Sequence, residues 1–175
     1  MRYGLHTRHK RLWTACGFRP KWEVRLSFQY GYLYVAINPN TGDLIAVFLP
    51  DMSSESYEAF LDVVAQETGA KPIRLYRDNA PSHCSESVLV SENIELHEFP
   101  PYCPELNPVE RLFQEIRKVL ANEVFESLEA IEAVITKKLK EYWENPKALV
   151  KLTRFGWIQR ADNAIKKHRN SDSLG

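Results

Sequence analysis

Phe99-Pro100-Pro101-Tyr102-Cys103-Pro104-Glu105-Leu106-Asn107-Pro108-Val109-Glu110 is the stretch on which the reading of this 175-residue chain turns. The extended apolar run at 94–99 enters it and stops, because Pro100 and Pro101 remove two successive backbone donors and cannot continue a strand ladder. Pro104 restricts Cys103 as well as itself. A helix then opens: Asn107 suits the N-cap, Pro108 the first helical position, and Glu110 the third. Behind it Val109, Leu112, Phe113, Ile116, Val119 and Leu120 recur at helical spacing and make one inward apolar face. Glu110 is therefore expected at the rim of this helix, beside the loop. There it either closes an Asn-x-x-Glu capping box on the N-cap amide or is available for chemistry.

Upstream, residues 71–77 read as a short strand that ends in Asp78-Asn79-Ala80-Pro81-Ser82-His83, a composition typical of a strand-to-helix turn. A helix is expected from about 82 to 91, followed by a strand at 94–99. A strand-helix-strand passage of this length implies a parallel pair with a right-handed crossover. Taken singly, Asp78 is explained as a turn residue and Glu110 as a cap.

The earlier chain reads as a hairpin and a helix. Residues 1–20 show no regular period, and Trp13, Cys16, Gly17, Phe18 and Pro20 suggest a loop with Arg8, Lys10 and Arg11 on its outside. The segments 25–38 and 44–49 are rich in aromatic and β-branched residues, and Asn38-Pro39-Asn40-Thr41-Gly42-Asp43 between them is a turn. Ser54 is expected to cap a helix to about Thr68, with Tyr57, Phe60, Leu61 and Val64 inward and Gly69 ending it. Downstream, Ser127 caps a helix on which Leu128, Ile131, Ile135, Leu139 and Tyr142 recur, and Asn145-Pro146 ends it. Phe155, Gly156 and Trp157 are a candidate anchor in the basic remainder.

Composition bounds the class. Apolar residues make up 44% and charged residues 26%, as in a globular protein, and no run approaches the roughly 18 apolar residues of a membrane span. The polar, basic N-terminus is not a signal peptide. Cys16, Cys84 and Cys103 lack CxxC spacing, which argues against a disulfide framework or a zinc site and makes a reducing cytoplasm the expected location. The zero net charge conceals an asymmetry: residues 1–25 carry seven Lys/Arg and one Glu, residues 145–175 seven and two Asp, and the middle nine against twenty acids. Basic flanks around an acidic centre suit either solvated ends or a protein that grips phosphates at its edges and cations at its middle.

Read together, the Asp78 and Glu110 stretches resemble the second half of the catalytic core of mariner-like insertion-sequence transposases, the DDE group. The likeness extends more weakly over residues 1–143. It implies a ribonuclease-H-like α/β fold, a mixed sheet of antiparallel hairpin plus parallel strands flanked by helices, over residues 1–145, with 146–175 as a basic C-terminal tail. It implies DNA, both transposon ends and target, as partner, a homodimer in the intact protein, and metal-dependent strand cleavage and transfer. It makes Asp78 and Glu110 ligands of two Mg²⁺ ions about 4 Å apart, with Mn²⁺ as a substitute. Asn79, His83 and Asn107 become supporting residues, and Arg8, Lys10, Arg11 and Arg111 candidates for phosphate contact.

The same resemblance places a first strand at the centre of the sheet, carrying the first catalytic aspartate. Family members have an Asp-Glu pair just before a segment similar to Met1-Arg2-Tyr3-Gly4-Leu5. The central strand is therefore expected to be largely missing and the chain inactive as written, with Asp43 and Asp51 turn residues and not substitutes. Two alternatives stand beside this: a DNA-binding remnant without catalysis, and a ribonuclease-H-like nuclease with no role in transposition.

Overall fold

The structure, a computed structural model, describes residues 1–7, 14, 16–17, 27–69, 71–78, 88–101, 103–160 and 163. In chain order the described elements are β1 (Arg2–Gly4), β2 (Tyr30–Ile37), β3 (Leu44–Leu49), α1 (Ser54–Thr68), β4 (Ile73–Arg77), β5 (Ile94–Glu98), a single 3-10 turn (Pro104–Leu106), α2 (Val109–Leu120), α3 (Leu128–Glu144) and α4 (Pro146–Thr153). They form an antiparallel sheet in the order β1-β2-β3 and a separate parallel pair, β4-β5.

Side-chain alternation in β2 and β3 divides the core into two layers. Leu33, Val35 and Ile37, with Leu44, Ala46 and Phe48, join the cluster built by α2, α3 and α4. Tyr32, Tyr34 and Ala36, with Ile45, Val47 and Leu49, face the opposite way. There they pack with Tyr57, Phe60, Leu61 and Val64 of α1, and with Ile73, Leu75 and Leu96 of the parallel pair. Helix α1 thus spans both sheets from one side.

Helix ends follow side-chain chemistry. Ser53 caps α1 by accepting from the Ser56 amide at 3.1 Å, one residue before the expected cap. Asp51 reinforces this end: its Oδ1 accepts from the Ser53 amide at 3.0 Å and from the Ser53 and Ser56 hydroxyls at 2.7 and 2.6 Å. These bonds hold its carboxyl down at about 2. Gly69 closes α1 at φ +63°, and Ser127 caps α3 through the Ala130 amide at 3.2 Å.

Three expectations need correction. Residues 2–4 are not irregular: Arg2, Tyr3 and Gly4 pair with Tyr32, Gly31 and Tyr30, and a three-residue run is too short to show a period. The helix expected to reach Ser91 does not include residues 88–91, which run without helix into the turn before β5, and residues 79–87 lie outside the described residues. Asn145-Pro146 ends α3 but also starts α4, with the Asn145 side chain accepting from the Ala148 amide at 3.3 Å. Helix α4 buries Leu149 completely against α2 and α3.

Candidate active site at the seam between the sheets

Because β4 and β5 are parallel, their carboxyl ends lie at the same end of the pair. The Phe99 amide donates to the Arg77 carbonyl at 2.9 Å, so the ladder runs to Arg77 and Asp78 is the first residue beyond it. After β5, Pro100 and Pro101 end the pairing and the 3-10 turn, closed by Leu106 N to Cys103 O at 3.0 Å, delivers Asn107. Asn107 Oδ1 accepts from the Val109 amide at 3.0 Å, the capping role its sequence position suggests. Pro108 already has helical angles, φ −59° and ψ −29°, so the helix boundary falls within a residue of the expected one.

Glu110 does not close the capping box. Its Oε2 lies 3.4 Å from Arg117 Nη1, two turns along the same helix face, and its side chain stays about a third exposed at 35%. Sequence reading passed over Arg117, although the i, i+7 spacing on one helix was the available signal. Leu112, Phe113 and Ile116 are buried and fix the helix that carries Glu110.

Between β2 and β4, where the two sheets are not hydrogen-bonded to each other, lies a cleft of about 140 Å³. Met1, Tyr34, Tyr76, Asp78, Asn107 and Val109 are among its walls. Met1 is held in this wall by Leu33: its amine donates to the Leu33 carbonyl, and its carbonyl accepts from the Leu33 amide at 2.8 Å. Burial lowers the amine pKa from 8.0 to about 6, opposed by Glu110 and by Asp78, while Arg117 lowers it further. Asp78 lines the cleft with Asn107 and Val109, whereas Glu110 is not among its walls; both carboxylates act on the Met1 amine through their charge.

The donor set can be weighed against the cation the resemblance implies. Two carboxylates are hard oxygen donors, suited in kind to Mg²⁺ or Mn²⁺. Among the described residues no three His, Cys, Asp or Glu side chains form a group that could hold a metal ion. Asp43 is engaged by the Thr41 hydroxyl and Asp51 by the start of α1, and neither lines the cleft. Arg111 is exposed on the first turn of α2, its guanidinium 5.6 Å from the Phe155 ring centre. Asn79, His83, Arg8, Lys10 and Arg11 lie outside the described residues. No described helix is long and apolar enough to cross a membrane.

Residues 1–132 match the family described as DDE superfamily endonuclease. The chain is 27% identical over 135 residues to the uncharacterized protein y4pE/y4sA of Sinorhizobium fredii (strain NBRC 101917 / NGR234), a match covering 75% of this chain and 99% of that one. Among solved structures it is similar to the Mos1 strand transfer complex, with a TM-score of 0.63 and 20% identity over 86% of this chain and 50% of the other. It is equally similar to the Mos1 mariner paired end complex with Mn, at 0.63 and 18% over 88% and 52%. The chain spans about half the length of the two Mos1 chains, and at such identities the likeness to them is one of fold: the ribonuclease-H-like, mariner-type arrangement of hairpin, parallel strands and helices. With residues 1–132 of its 175 under a single family description, and with that family's fold, the chain belongs to the DDE superfamily endonucleases.

Proposed function

We propose that this chain is the catalytic part of an insertion-sequence transposase, which cleaves DNA at the element's ends and joins it to a target, with Asp78 and Glu110 as metal ligands. The observation that carries this reading is the arrival of the β4 end, with Asp78, and the start of α2, with Asn107 and Val109, at one cleft, in a chain of this family. Each carboxylate is carried by a rigid element: Asp78 directly follows the paired strand β4, and Glu110 lies on a helix anchored by three buried side chains. Asn107 holds the loop between them, and Arg117 neutralises Glu110 and limits its rotamers. Mg²⁺ or Mn²⁺, when bound, supplies an activated hydroxyl and neutralises charge on the leaving oxygen. Asn79, next to Asp78 in sequence, and His83, five positions on, support it, and Arg8, Lys10, Arg11 and Arg111 contact DNA phosphates. A second copy of the chain completes the working assembly.

Two carboxylates do not by themselves fix a two-ion geometry, so residues 1–175 alone are expected to bind DNA without cutting it at a useful rate. That count also favours the second reading, a DNA-binding remnant. Calorimetric titration with Mn²⁺ separates the two. The transposase reading expects binding that falls at least tenfold in both Asp78→Asn and Glu110→Gln, with duplex affinity unchanged. It also expects Mn²⁺-dependent cleavage once a strand bearing an aspartate precedes Met1. Mn²⁺ affinity indifferent to both substitutions would refute the assignment.

A further inference from the structure

The two faces of the β4-β5 pair are unlike. Ile73, Leu75, Ile94 and Leu96 pack with α1. The other face carries Tyr76 and His97, cross-strand partners in the register, and continues to Phe99. The rings of Tyr76 and His97 are stacked, with centroids 5.1 Å apart and planes at 24°, and the Phe99 ring lies 5.6 Å from Tyr76 at 35°. Tyr76 nevertheless remains 52% exposed. Glu95, the one acid on this face of β5, is engaged by Arg74 Nε at 3.0 Å and by His97 Nε2 at 2.9 Å. The result is a row of three π systems with an open side and a locally compensated charge.

Position gives this row a use. Tyr76 and Asp78 are two residues apart along one strand direction, about 6.6 Å in extended backbone, and both line the cleft at the seam. A flat, aromatic, largely uncharged ligand reaching the cleft along this face would lie on Tyr76. We infer that Tyr76, backed by His97 and Phe99, stacks an unpaired base of the DNA strand whose backbone lies at Asp78. Aromatic side chains receive bases of any identity in this way, because every base has a π face. The platform therefore selects frayed or single-stranded ends over blunt duplex without reading sequence. This inference rests on the DNA-processing reading above, yet the two fail separately: stacking is read without metal, whereas that reading is decided by Mn²⁺.

The test uses the full chain and a duplex with a three-nucleotide overhang containing 2-aminopurine, beside the blunt duplex, both in EDTA. Wild type is expected to bind the overhang more tightly than the blunt form and to quench the 2-aminopurine. Tyr76→Leu, which keeps apolar bulk without a ring, and Tyr76→Ala should weaken overhang binding roughly tenfold and abolish the quench, with blunt-duplex binding unchanged. Tyr76→Phe should retain both signals. Overhang binding as tight in Tyr76→Leu as in wild type would overturn the inference. So would equal losses for overhang and blunt DNA, or no preference for the overhang in wild type.

Discussion

Leu112→Ala is the substitution that most directly asks whether the helix carrying Glu110 is seated as described. Leu112 has no exposed surface and lies in the cluster that includes Leu33, Ile131 and Leu139. Truncation removes three buried carbons, about 2.4 kcal/mol at roughly 0.8 kcal/mol each. The cavity left behind raises the cost to about 2.5–5 kcal/mol, depending on how far Ile116 and Ile135 can close it. A domain of this size loses roughly 2–4 °C of Tm per kcal/mol, so thermal unfolding followed by circular dichroism should show a fall of about 5–20 °C. Val119→Ala, on the same helix at 37% exposure, is the internal control and should cost well under half as much. Because Leu112 is two residues from Glu110, the variant should also bind Mn²⁺ more weakly. A Tm change below about 2 °C, or an equal loss for Val119→Ala, would show that α2 is not anchored through this face.

Gly42 has φ +83°, and an added Cβ would run into the Pro146 carbonyl group, with its carbon at 2.8 Å; Gly42→Ala should therefore cost more than the roughly 1–2 kcal/mol of left-handed strain alone, read as a drop in urea midpoint, and a variant as stable as wild type would contradict the hairpin-to-α4 contact. The Met1 amine has a folded pKa of about 6 against 8.0 unfolded, so the unfolded chain binds more protons between these values. Stability should rise with pH across that window, by up to about 2–3 kcal/mol, and level off above it. Urea midpoints identical at pH 6 and pH 8.5 would show that this amine is not buried.

The strands β4 and β5, their parallel sense, the hairpin and the helices α1, α2 and α3 could be read from the chain, because each rests on local chemistry. Period-two alternation marks strands, period-3.6 recurrence marks helices, and Ser, Asn, Pro and Gly mark their ends. Asp78 and Glu110 were singled out as candidates by the stretches they occupy, again local information. What escaped depended on distant partners. Arg2–Gly4 is a strand only because Tyr30–Tyr32 pairs with it, and α4 is helical core only because α2 and α3 cover Leu149. The cleft shared by Met1, Asp78, Asn107 and Val109, and the row of Tyr76, His97 and Phe99 across two strands, follow from register and packing. The sequence by itself determined which elements form and where they stop, since those preferences act over a few residues. Only the tertiary structure decided which side chains meet, because meetings between residues tens of positions apart are settled by burial of the shared core.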